Sequence, residues 1–502
     1  MGGQDSEGAL ALPRRRFLQL GAGALTSAVL SSCGRSSATP IGPGAPQVGA
    51  AERARRVSGA TVVEKRLTAA PATVDLGGVQ VQTWAFDGQL PGPEIRLARD
   101  EVLRAELRND LPQPTTIHWH GIALRNDMDG VPDLTQSPIA QQNSFSYEFA
   151  VPDSGTYFFH PHVRMQLDHG LYAPLIVTEP DDAGDYDVEA VIILDDWLDG
   201  VSGADPDQRL EQLRAEGMNM GGMDMGGMGG RNSQAPLGPD TGDVDFPYYL
   251  INGRIGAAPV SVQGRPGQRL RMRIINASSD TAFRVALGGH RFTVTHTDGF
   301  PVEPAEADAL LIGMGERYDV LVTLADGVFP LVASAEGKEG QGFALVRTGA
   351  GDPPAPDVLP DELGGQLVMA GTLRASEEVR LAAREPDRMH VMELGMDMSG
   401  YRWTINGQTY GQHDPLPMRQ GERVRVRFVN RTMMFHPMHV HGHTFQVVNG
   451  SGTGPRKDTS MVLPMQAVEV DIEADNPGQW LVHCHNLYHG EAGMMTVMSY
   501  VA

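Results

Sequence analysis

The chain has 502 residues, about three times the length of a typical domain, so its length predicts two to four compact units. Hydrophobic residues make up 41% and charged residues 20% of the chain, which excludes general disorder, while 60 glycines and 35 prolines favour a turn-rich β protein. The net charge of −22 excludes a nucleic-acid-binding protein, and two cysteines are too few for a disulfide framework.

Residues 1–33 predict an export signal. Arg14, Arg15 and Arg16 precede Phe17-Leu18 and a short apolar run, a pattern typical of twin-arginine signals. The run is too short and too rich in glycine and alanine for a stable membrane span. It ends in Leu30-Ser31-Ser32-Cys33, which resembles a bacterial lipobox and predicts lipidation of Cys33. The alternative is an ordinary signal peptide with an incidental cysteine.

Residues 34–56 are rich in Gly, Pro, Ser and Ala and lack an apolar face, so we expect a flexible tether. Signal, lipobox and tether together predict a protein of the cell envelope or periplasm that is anchored to the membrane through Cys33.

An internal repeat organises the rest of the chain. Residues 251–253 (Ile-Asn-Gly) recur at 405–407, and the ten residues from Gly267 recur from Gly421, both 154 positions later. A looser copy spans 100–109. Charged and apolar residues alternate in each copy, which is typical of a half-buried strand. The repeat predicts an all-β protein of three β-sandwich domains at 57–182, 183–350 and 360–502, with a linker at 351–359 and one helix near 205–216.

The histidines are strongly clustered. Five His-x-His pairs occur, whereas random placement of the 16 histidines would give roughly 0.5. Residues two apart in a strand point to the same face, so each pair can present two imidazoles to one metal centre. A single structural site needs only four ligands, so this number of pairs predicts several metals together.

The clusters form four motifs in the first and third predicted domains. They are His118-Trp119-His120-Gly121, His160-Pro161-His162, the run His436-Pro-Met-His439-Val-His441-Gly-His443, and His483-Cys484-His485 followed by His489 and Met494. In the last motif the two flanking histidines face one side of a strand and Cys484 faces the other. The thiolate can therefore hold one metal while its neighbours reach metals on the opposite side.

All four motifs resemble the copper-binding signatures of multicopper oxidases, in the same order along the chain. The match covers most of the chain after residue 57. Residues 121–130 and the lipobox further resemble the exported copper-resistance oxidases of mycobacteria and other actinobacteria. The resemblance implies three cupredoxin-like Greek-key domains that hold four copper ions.

The resemblance also implies a ligand set. The blue, type 1 copper is expected to bind Cys484, two imidazoles and an axial thioether, the ligands of a blue-copper electron-transfer site. The implied ligands are His436, Cys484, His489 and Met494 for type 1, His118 and His439 for type 2, and His120, His160, His162, His441, His483 and His485 for the type 3 pair. The other histidines, 169, 290, 296, 390, 413 and 443, are expected to be structural.

Four coppers can store the four electrons that reduce O₂ to two waters, so the expected reaction couples four one-electron oxidations of a reductant to that reduction. By resemblance, Asp129 near the cluster assists proton delivery; its alternative role is that of a turn residue before Gly130. Glu491 is a weaker candidate, because the relatives that use a glutamate place it directly after the blue-site histidine, where this chain has Gly490.

The expected reductant is Cu(I), with Fe(II) second. Residues 217–230 form a glycine-rich segment with five methionines, and thioethers are soft ligands that prefer Cu(I). These candidate substrate ligands are Met218, Met220, Met223, Met225 and Met228. The alternative is a low-complexity loop with incidental methionines. Oxidation of Cu(I) would serve copper detoxification.

Four other functions stay open at this point. They are a laccase-like oxidase of phenols or aromatic amines, a copper nitrite reductase, a non-enzymatic scaffold, and copper sequestration by the methionines. A nitrite reductase would not need the His-x-His pairs, and a scaffold would be expected to have lost ligands. We expect a monomer whose partners are the reductant, O₂ and the membrane.

Overall fold

The computed structural model describes residues 39–179, 186–217, 236–397, 400–450 and 452–502. The predicted signal, Cys33 and the five methionines of the glycine-rich segment lie outside the described residues. Among the helices in those ranges, none is long and apolar enough to cross a membrane.

The first domain is a sandwich of two four-stranded sheets, ordered β2-β1-β4-β6 and β3-β8-β7-β5. Its strands are β1 (Val62–Asp75), β2 (Gln80–Phe86), β3 (Ile95–Ala98), β4 (Val102–Asn109), β5 (His118–His120), β6 (Ser144–Ala150), β7 (Gly155–His160) and β8 (Ala173–Thr178).

The second domain pairs two six-stranded sheets, ordered β10-β9-β12-β17-β14-β15 and β11-β19-β18-β13-β16-β20. Its strands are β9 (Val188–Trp197), β10 (Tyr248–Ile251), β11 (Ser261–Gln263), β12 (Arg269–Asn276), β13 (Phe283–Leu287), β14 (Phe292–Thr297), β15 (Phe300–Ala307), β16 (Ala309–Ile312), β17 (Arg317–Thr323), β18 (Val328–Ala335), β19 (Gln341–Arg347) and β20 (Leu367–Met369).

The third domain has sheets ordered β22-β21-β24-β29-β26-β27 and β23-β31-β30-β25-β28. Its strands are β21 (Arg388–Asp397), β22 (Arg402–Ile405), β23 (Leu416–Met418), β24 (Arg423–Asn430), β25 (His436–Val440), β26 (Phe445–Val448), β27 (Arg456–Lys457), β28 (Thr459–Val462), β29 (Ala467–Glu473), β30 (Gln479–Cys484) and β31 (Met495–Tyr500). The three described helices are α1 (Pro46–Arg55), α2 (Pro206–Glu216) and α3 (Leu487–Glu491).

The repeated sequence occupies the same place in each domain. Strands β4, β12 and β24 each pair in parallel with the first strand of their domain and antiparallel with a later one. In β24 the apolar residues Val424, Val426 and Phe428 are buried while Arg427 is exposed, as alternation predicts. The prediction of a half-buried strand is wrong for β12, which buries both faces. Its Arg273 pairs there with Asp319 and bonds Thr156 of the first domain.

The third domain begins later than predicted. Strand β20 lies beyond residue 360, yet it pairs in parallel with β16 of the second domain. The proline-rich stretch at 351–359 therefore does not separate the second and third domains. It precedes β20, which is the last strand of the second domain. The predicted helix near 205–216 is present as α2, whose first turn is capped by the Asp205 side chain accepting from the Gln208 N–H.

The flexible tether predicted for residues 34–56 is wrong for its described part, residues 39–56. Helix α1 covers most of it and buries Val48. The buried carboxylate of Glu52 accepts hydrogen bonds from the Ala150 N–H and from Arg56. Pro40 forms a β-bridge with Val501 at the other end of the chain. Main-chain pairing and one buried carboxylate hold this segment in place. The segment is therefore ordered although its sequence lacks an apolar face.

Candidate metal centres

A first candidate centre consists of His436, Cys484 and His489. His436 begins β25, Cys484 ends β30 and His489 lies in α3, so three elements of the third domain meet here. The Cys484 Sγ atom lies 3.6 Å from His436 Nδ1 and 3.7 Å from His489 Nδ1, and the two nitrogens are 3.1 Å apart. All three side chains are buried, which leaves one sulfur and two nitrogens converging on a single point.

The outer side of each ring is held by a polar partner. The His489 Nε2–H donates to Asp243 at 2.9 Å, so its Nδ1 carries the lone pair that faces Cys484. His436 Nε2 lies 2.8 Å from the Thr432 hydroxyl. Burial, followed by the charge of His489, holds the pKa of His436 well below its usual value. Burial also raises the pKa of the Cys484 thiol, so the thiolate form requires a cation beside it.

Local structure positions His489 and Met494. The Asn486 side chain caps α3 and accepts the backbone N–H of His489 at 3.1 Å. The Cys484 N–H donates to the carbonyl oxygen of Met494 at 3.0 Å, and Met494 is fully buried. The helix and this backbone bond therefore place the predicted axial residue next to Cys484.

A second candidate centre collects eight histidines between the first and third domains. Strand β5 pairs with β7 so that His118 lies opposite His160, and β25 pairs with β30 so that His439 lies opposite His483. Their nitrogens form groups in which all atoms lie within 4.8 Å of one another. These groups include His120, His160 and His485; His162, His441 and His483; and His118 and His439 with His441.

In two histidine pairs of this cluster, the two rings face each other through unprotonated nitrogens. The Nδ1 atoms of His118 and His439 lie 3.0 and 2.9 Å from the backbone oxygens of Asp129 and Asp458, so the protons reside there. The Nε2 lone pairs of the two rings then face each other at 3.4 Å. Two facing lone pairs repel unless a cation lies between them, and imidazole nitrogen is a ligand that suits copper.

His441 and His483 form the second such pair, with their Nε2 atoms 3.1 Å apart. His441 Nδ1 is 2.9 Å from Asp129 Oδ2, and His483 Nδ1 is 2.9 Å from the Cys484 carbonyl oxygen. With the protons on Nδ1, the two Nε2 lone pairs face each other in this pair too, so the donor set fits a bound cation.

The remaining cluster nitrogens support the same fit. His120 Nδ1, His160 Nε2, His162 Nε2 and both ring nitrogens of His485 are buried with no hydrogen-bond partner among the described residues. Leaving a buried polar atom unpaired costs about 1–3 kcal/mol, and metal ligation through one nitrogen of each ring would explain four of these five atoms. Burial, together with the neighbouring histidines, holds the pKa values of His160, His162 and His485 well below the usual range, and these rings are neutral and ready to ligate.

Cys484 separates the two centres. Its side chain lies in the first centre, whereas His483 and His485 on either side reach two different groups of the eight-histidine cluster. The two centres are therefore linked through the covalent backbone of three consecutive residues, as the strand alternation predicted.

The sequence did not single out Asp458 and Arg317. Asp458 Oδ1 lies 3.1 Å from His120 Nε2, and the buried Arg317 guanidinium contacts both Asp458 carboxylate oxygens at 2.6–2.7 Å. The Arg317 charge and hydrogen bonds hold the pKa of Asp458 well below its usual value, against the effect of burial. Asp458 is not part of a recognisable motif, and Arg317 belongs to the second domain. No sequence pattern therefore indicates that either residue lies near His120.

Asp243 was missed for the same reason. It lies in the second domain and accepts both His489 Nε2 and the Tyr401 hydroxyl, which is 2.6 Å away. His443 lies outside the metal groups given above: its Nδ1 is 3.1 Å from the His441 carbonyl oxygen and its Nε2 is 2.8 Å from the Tyr500 hydroxyl.

The two predicted catalytic carboxylates lie in different surroundings. Asp129 is fully buried, with Oδ1 3.2 Å from His118 Nδ1 and Oδ2 2.9 Å from His441 Nδ1. Glu491 lines a cavity of about 880 Å³ that also reaches His162, Tyr401 and Met495. Burial raises the pKa of Glu491 to about 7.

Comparison with known proteins identifies the family. Three family models described as multicopper oxidase match residues 68–182, 189–350 and 382–501. The chain belongs to the multicopper oxidase family. Members of this family bind copper and oxidise their substrates with O₂, and the donor sets above fit that metal.

Individual relatives agree with this assignment. The chain is 48% identical to multicopper oxidase MmcO of Mycobacterium tuberculosis over 98% of both chains. It is 28% identical to a copper resistance protein A homolog of Pseudomonas syringae pv. tomato over 96% of this chain and 98% of the relative. The crystal structure of Fet3p, a multicopper oxidase that functions in iron import, matches with a TM-score of 0.74 at 20% identity, over 88% of this chain and 90% of Fet3p. The predicted all-β fold of three cupredoxin-like domains is confirmed.

Proposed function

We propose that this multicopper oxidase holds four copper ions. The type 1 ion would bind His436, Cys484 and His489, with Met494 as axial ligand. The type 2 ion would bind His118 and His439, and the type 3 pair would bind the trios His120, His160, His485 and His162, His441, His483. Support comes from the grouping of the donor atoms, the facing lone pairs and the unpartnered nitrogens.

When bound, the coppers would accept electrons singly and pass four of them to O₂, with four protons, to form two waters. The chain itself excludes water from Cys484 and links Cys484 to His483 and His485 through the backbone. Asp129 positions two ligands, because its backbone oxygen accepts from His118 Nδ1–H and its carboxylate accepts from His441 Nδ1–H. The roles of Asp129 and Glu491 in proton delivery stay predictions.

We propose Cu(I) as the reductant, with Fe(II) as a second substrate. The hydrogen bond between His489 and Asp243 carries this proposal. His489 is completely buried, so a reductant cannot touch its ring directly. The Asp243 side chain that bonds this ring is 12% exposed, and its negative charge attracts a metal cation such as Cu(I) or Fe(II) but not a neutral phenol.

Described residues on both sides of the methionine-rich segment lie close to this point. Before the segment, Arg214 of α2 donates to the carbonyl oxygen of Glu491, two residues after His489, at 2.7 Å. After the segment, the chain reaches Asp243 itself. The candidate ligands Met218, Met220, Met223, Met225 and Met228 lie between these two anchors in sequence, which supports a role in supplying Cu(I).

Oxygen uptake with Cu(I), Fe(II) and a phenol tests the proposal. Asp243→Asn keeps an acceptor for His489 but removes the charge, so kcat/KM for Cu(I) should fall roughly tenfold, about 1.4 kcal/mol, and more than for the phenol. Asp245→Asn, at an exposed carboxylate two residues away, is the matched control. Equal losses for both reductants in Asp243→Asn would contradict a metal substrate.

Deletion of 218–228 tests the segment separately. We expect it to slow Cu(I) oxidation and to spare phenol oxidation. Equal losses, or no loss, would count against copper delivery by these methionines.

A laccase-like activity is the second candidate. The cavity beside Glu491 is lined by Tyr401, Tyr410 and Met495, and its volume of about 880 Å³ suits a small aromatic molecule. A higher kcat/KM for the phenol than for Cu(I) would favour this activity over metal oxidation.

We also propose that the protein is exported by the twin-arginine route and anchored by lipid at Cys33, as a monomer of the cell envelope. The motifs of residues 1–33 support this localisation. Cys33→Ser should move the protein from the membrane fraction to the soluble fraction of the envelope. Recovery of this variant in the membrane fraction would contradict the anchor.

A further inference from the structure

One carboxylate oxygen of Asp243 accepts two hydrogen bonds. The Tyr401 hydroxyl donates to Oδ2 at 2.6 Å, and the His489 Nε2–H donates to the same atom at 2.9 Å. The other oxygen, Oδ1, accepts no hydrogen bond from the described residues. Because the Asp243 side chain is partly exposed, Oδ1 is the oxygen that remains available to a ligand from solvent.

The backbone of Asp243 is fixed on both sides. Its carbonyl oxygen accepts a hydrogen bond from Arg209 of α2 at 3.1 Å, and the N–H of the next residue, Val244, donates to the Asp280 carboxylate at 3.0 Å. These bonds hold the main chain but do not touch the Asp243 carboxylate. The orientation of that carboxylate therefore depends on the two donors to Oδ2.

Tyr401 is held in place by packing. It is only 2% exposed, although it lies just before β22, and its ring meets Trp403 edge-on with the ring centres 6.2 Å apart. The Trp403 ring lies over His489 with the ring centres 4.0 Å apart. His489 is therefore covered on one face by Trp403, while its Nε2 is bonded to the carboxylate that Tyr401 also bonds.

We propose that Tyr401 is a positioning residue for the metal reductant. With one donor, the Asp243 carboxylate can pivot about its bond to His489, whereas two donors on Oδ2 fix the plane of the group and leave Oδ1 for the incoming ion. This inference rests on the proposed entry of Cu(I) or Fe(II) at Asp243. Tyr401 does not touch the ion: it determines which oxygen the ion meets and how strongly Asp243 accepts from His489.

Tyr401→Phe tests the proposal, because it keeps the ring and removes only the hydroxyl. In the copper-loaded full-length protein the KM for Cu(I) should rise roughly tenfold, the effect of losing one hydrogen bond to a charged group, and by more than the KM for the phenol. Tyr318→Phe is the matched control. It removes the hydroxyl of another buried tyrosine, which donates to the Leu311 carbonyl oxygen at 3.2 Å, and it should change neither KM.

The double variant Asp243→Asn/Tyr401→Phe tests whether Tyr401 acts through Asp243. If it does, adding Tyr401→Phe to Asp243→Asn should raise the KM for Cu(I) by less than about twofold, because both changes remove the same interaction. An increase of roughly tenfold in both backgrounds would show that the Tyr401 hydroxyl acts elsewhere and would overturn the proposal.

The reduction potential of the first centre gives a measurement that does not depend on the reductant. Without the Tyr401 hydroxyl, Asp243 accepts more strongly from His489 and makes its imidazole a stronger donor, so the potential should fall. Tyr318→Phe should leave it unchanged. An unchanged potential in Tyr401→Phe, or an unchanged KM for Cu(I), would overturn the proposal. If the wild type oxidises neither Cu(I) nor Fe(II), the proposed reductant is wrong, while the potential still tests the link from Tyr401 to His489.

Discussion

The second and third domains share one frame but differ where the candidate metal centres lie. At the spacing of 154 residues, β13 corresponds to β25, and the third domain's His436, His439 and His441 correspond to Ala282, Val285 and Leu287. The pairing registers of β13 with β18 and of β25 with β30 likewise match His483, Cys484 and His485 to Ala333, Ser334 and Ala335. The second domain has no metal-binding side chain at any of these six positions.

The frame is preserved although the ligands are not. Asn276 and Asn430 occupy equivalent ends of β12 and β24, and both side-chain amides donate to backbone carbonyl oxygens of the turns beside them. The hydrogen bonds that build the sandwich are therefore independent of the residues that ligate metal. The second domain instead supports the centres of its neighbours, through Asp243 on His489 and Arg317 on Asp458.

Exchange of cysteine and serine at the equivalent positions tests this comparison with the largest expected effect. Cys484→Ser removes the only sulfur of the described Cys–His trio, so the intense visible absorption of a copper–thiolate bond and the oxidase activity should both fall to background. Ser334→Cys should create no such absorption, because Ala282 supplies no imidazole beside it. A new thiolate band in Ser334→Cys, or retained activity in Cys484→Ser, would contradict the assignment.

Arg317→Met tests the support that the second domain gives. Removing the guanidinium leaves the buried Asp458 carboxylate without its ion-pair partner, which should cost about 3–5 kcal/mol of unfolding free energy. Arg431→Met removes an exposed pair with Glu393 and should cost less than about 1 kcal/mol. Chemical denaturation measures both. Similar losses in the two variants would show that Asp458 does not depend on Arg317.

His169→Gln tests a contact between the first and second domains. Burial alone would lower the pKa of His169, but hydrogen bonds to Asp199 and Asp207 outweigh it and raise the pKa to about 9. The stabilisation is present below the unfolded pKa of about 6.5 and is lost as the pH rises through 9. Urea unfolding should therefore find the variant less stable by up to about 3 kcal/mol at pH 6, with a smaller difference at pH 9.5. A difference that is the same at both pH values would contradict this contact.

Asp129→Asn should have the smallest effect of the four. The variant keeps the backbone oxygen that faces His118 but replaces the carboxylate that orients His441. Loss of such a partner lowers metal affinity roughly 10- to 100-fold. The amount of copper retained after dialysis against a chelator measures this loss of metal affinity, with Asp127→Asn as the control. Unchanged retention would leave Asp129 as a turn residue only.

The sequence predicted which histidines cluster with Cys484 or with one another better than it predicted their surroundings. Pairs such as His118 and His120, or His483 and His485, are recognisable because residues two apart in a strand lie on the same face. Their assignment to two centres came from the resemblance of the four motifs to multicopper oxidase signatures. The three-domain fold was also predictable, because each copy of the repeated strand carries the same alternation and ends in asparagine, at Asn109, Asn276 and Asn430.

The supporting residues could not be predicted in this way. Asp458 lies 338 positions from His120, and Asp243 lies 246 positions from His489, with no motif at either site. The segment 39–56 was misjudged because its order comes from a β-bridge to Val501 and from the buried Glu52. Contacts of this kind depend on tertiary structure, which local composition does not record.

Copper analysis combined with electron paramagnetic resonance of the oxidised protein tests the central claim most directly. One thiolate centre and one eight-histidine cluster predict four coppers per chain, half of them visible in the spectrum as one blue and one type 2 signal. The coupled pair would be silent. A fully loaded protein with fewer than four coppers per chain, or with no thiolate-type signal, would contradict this assignment.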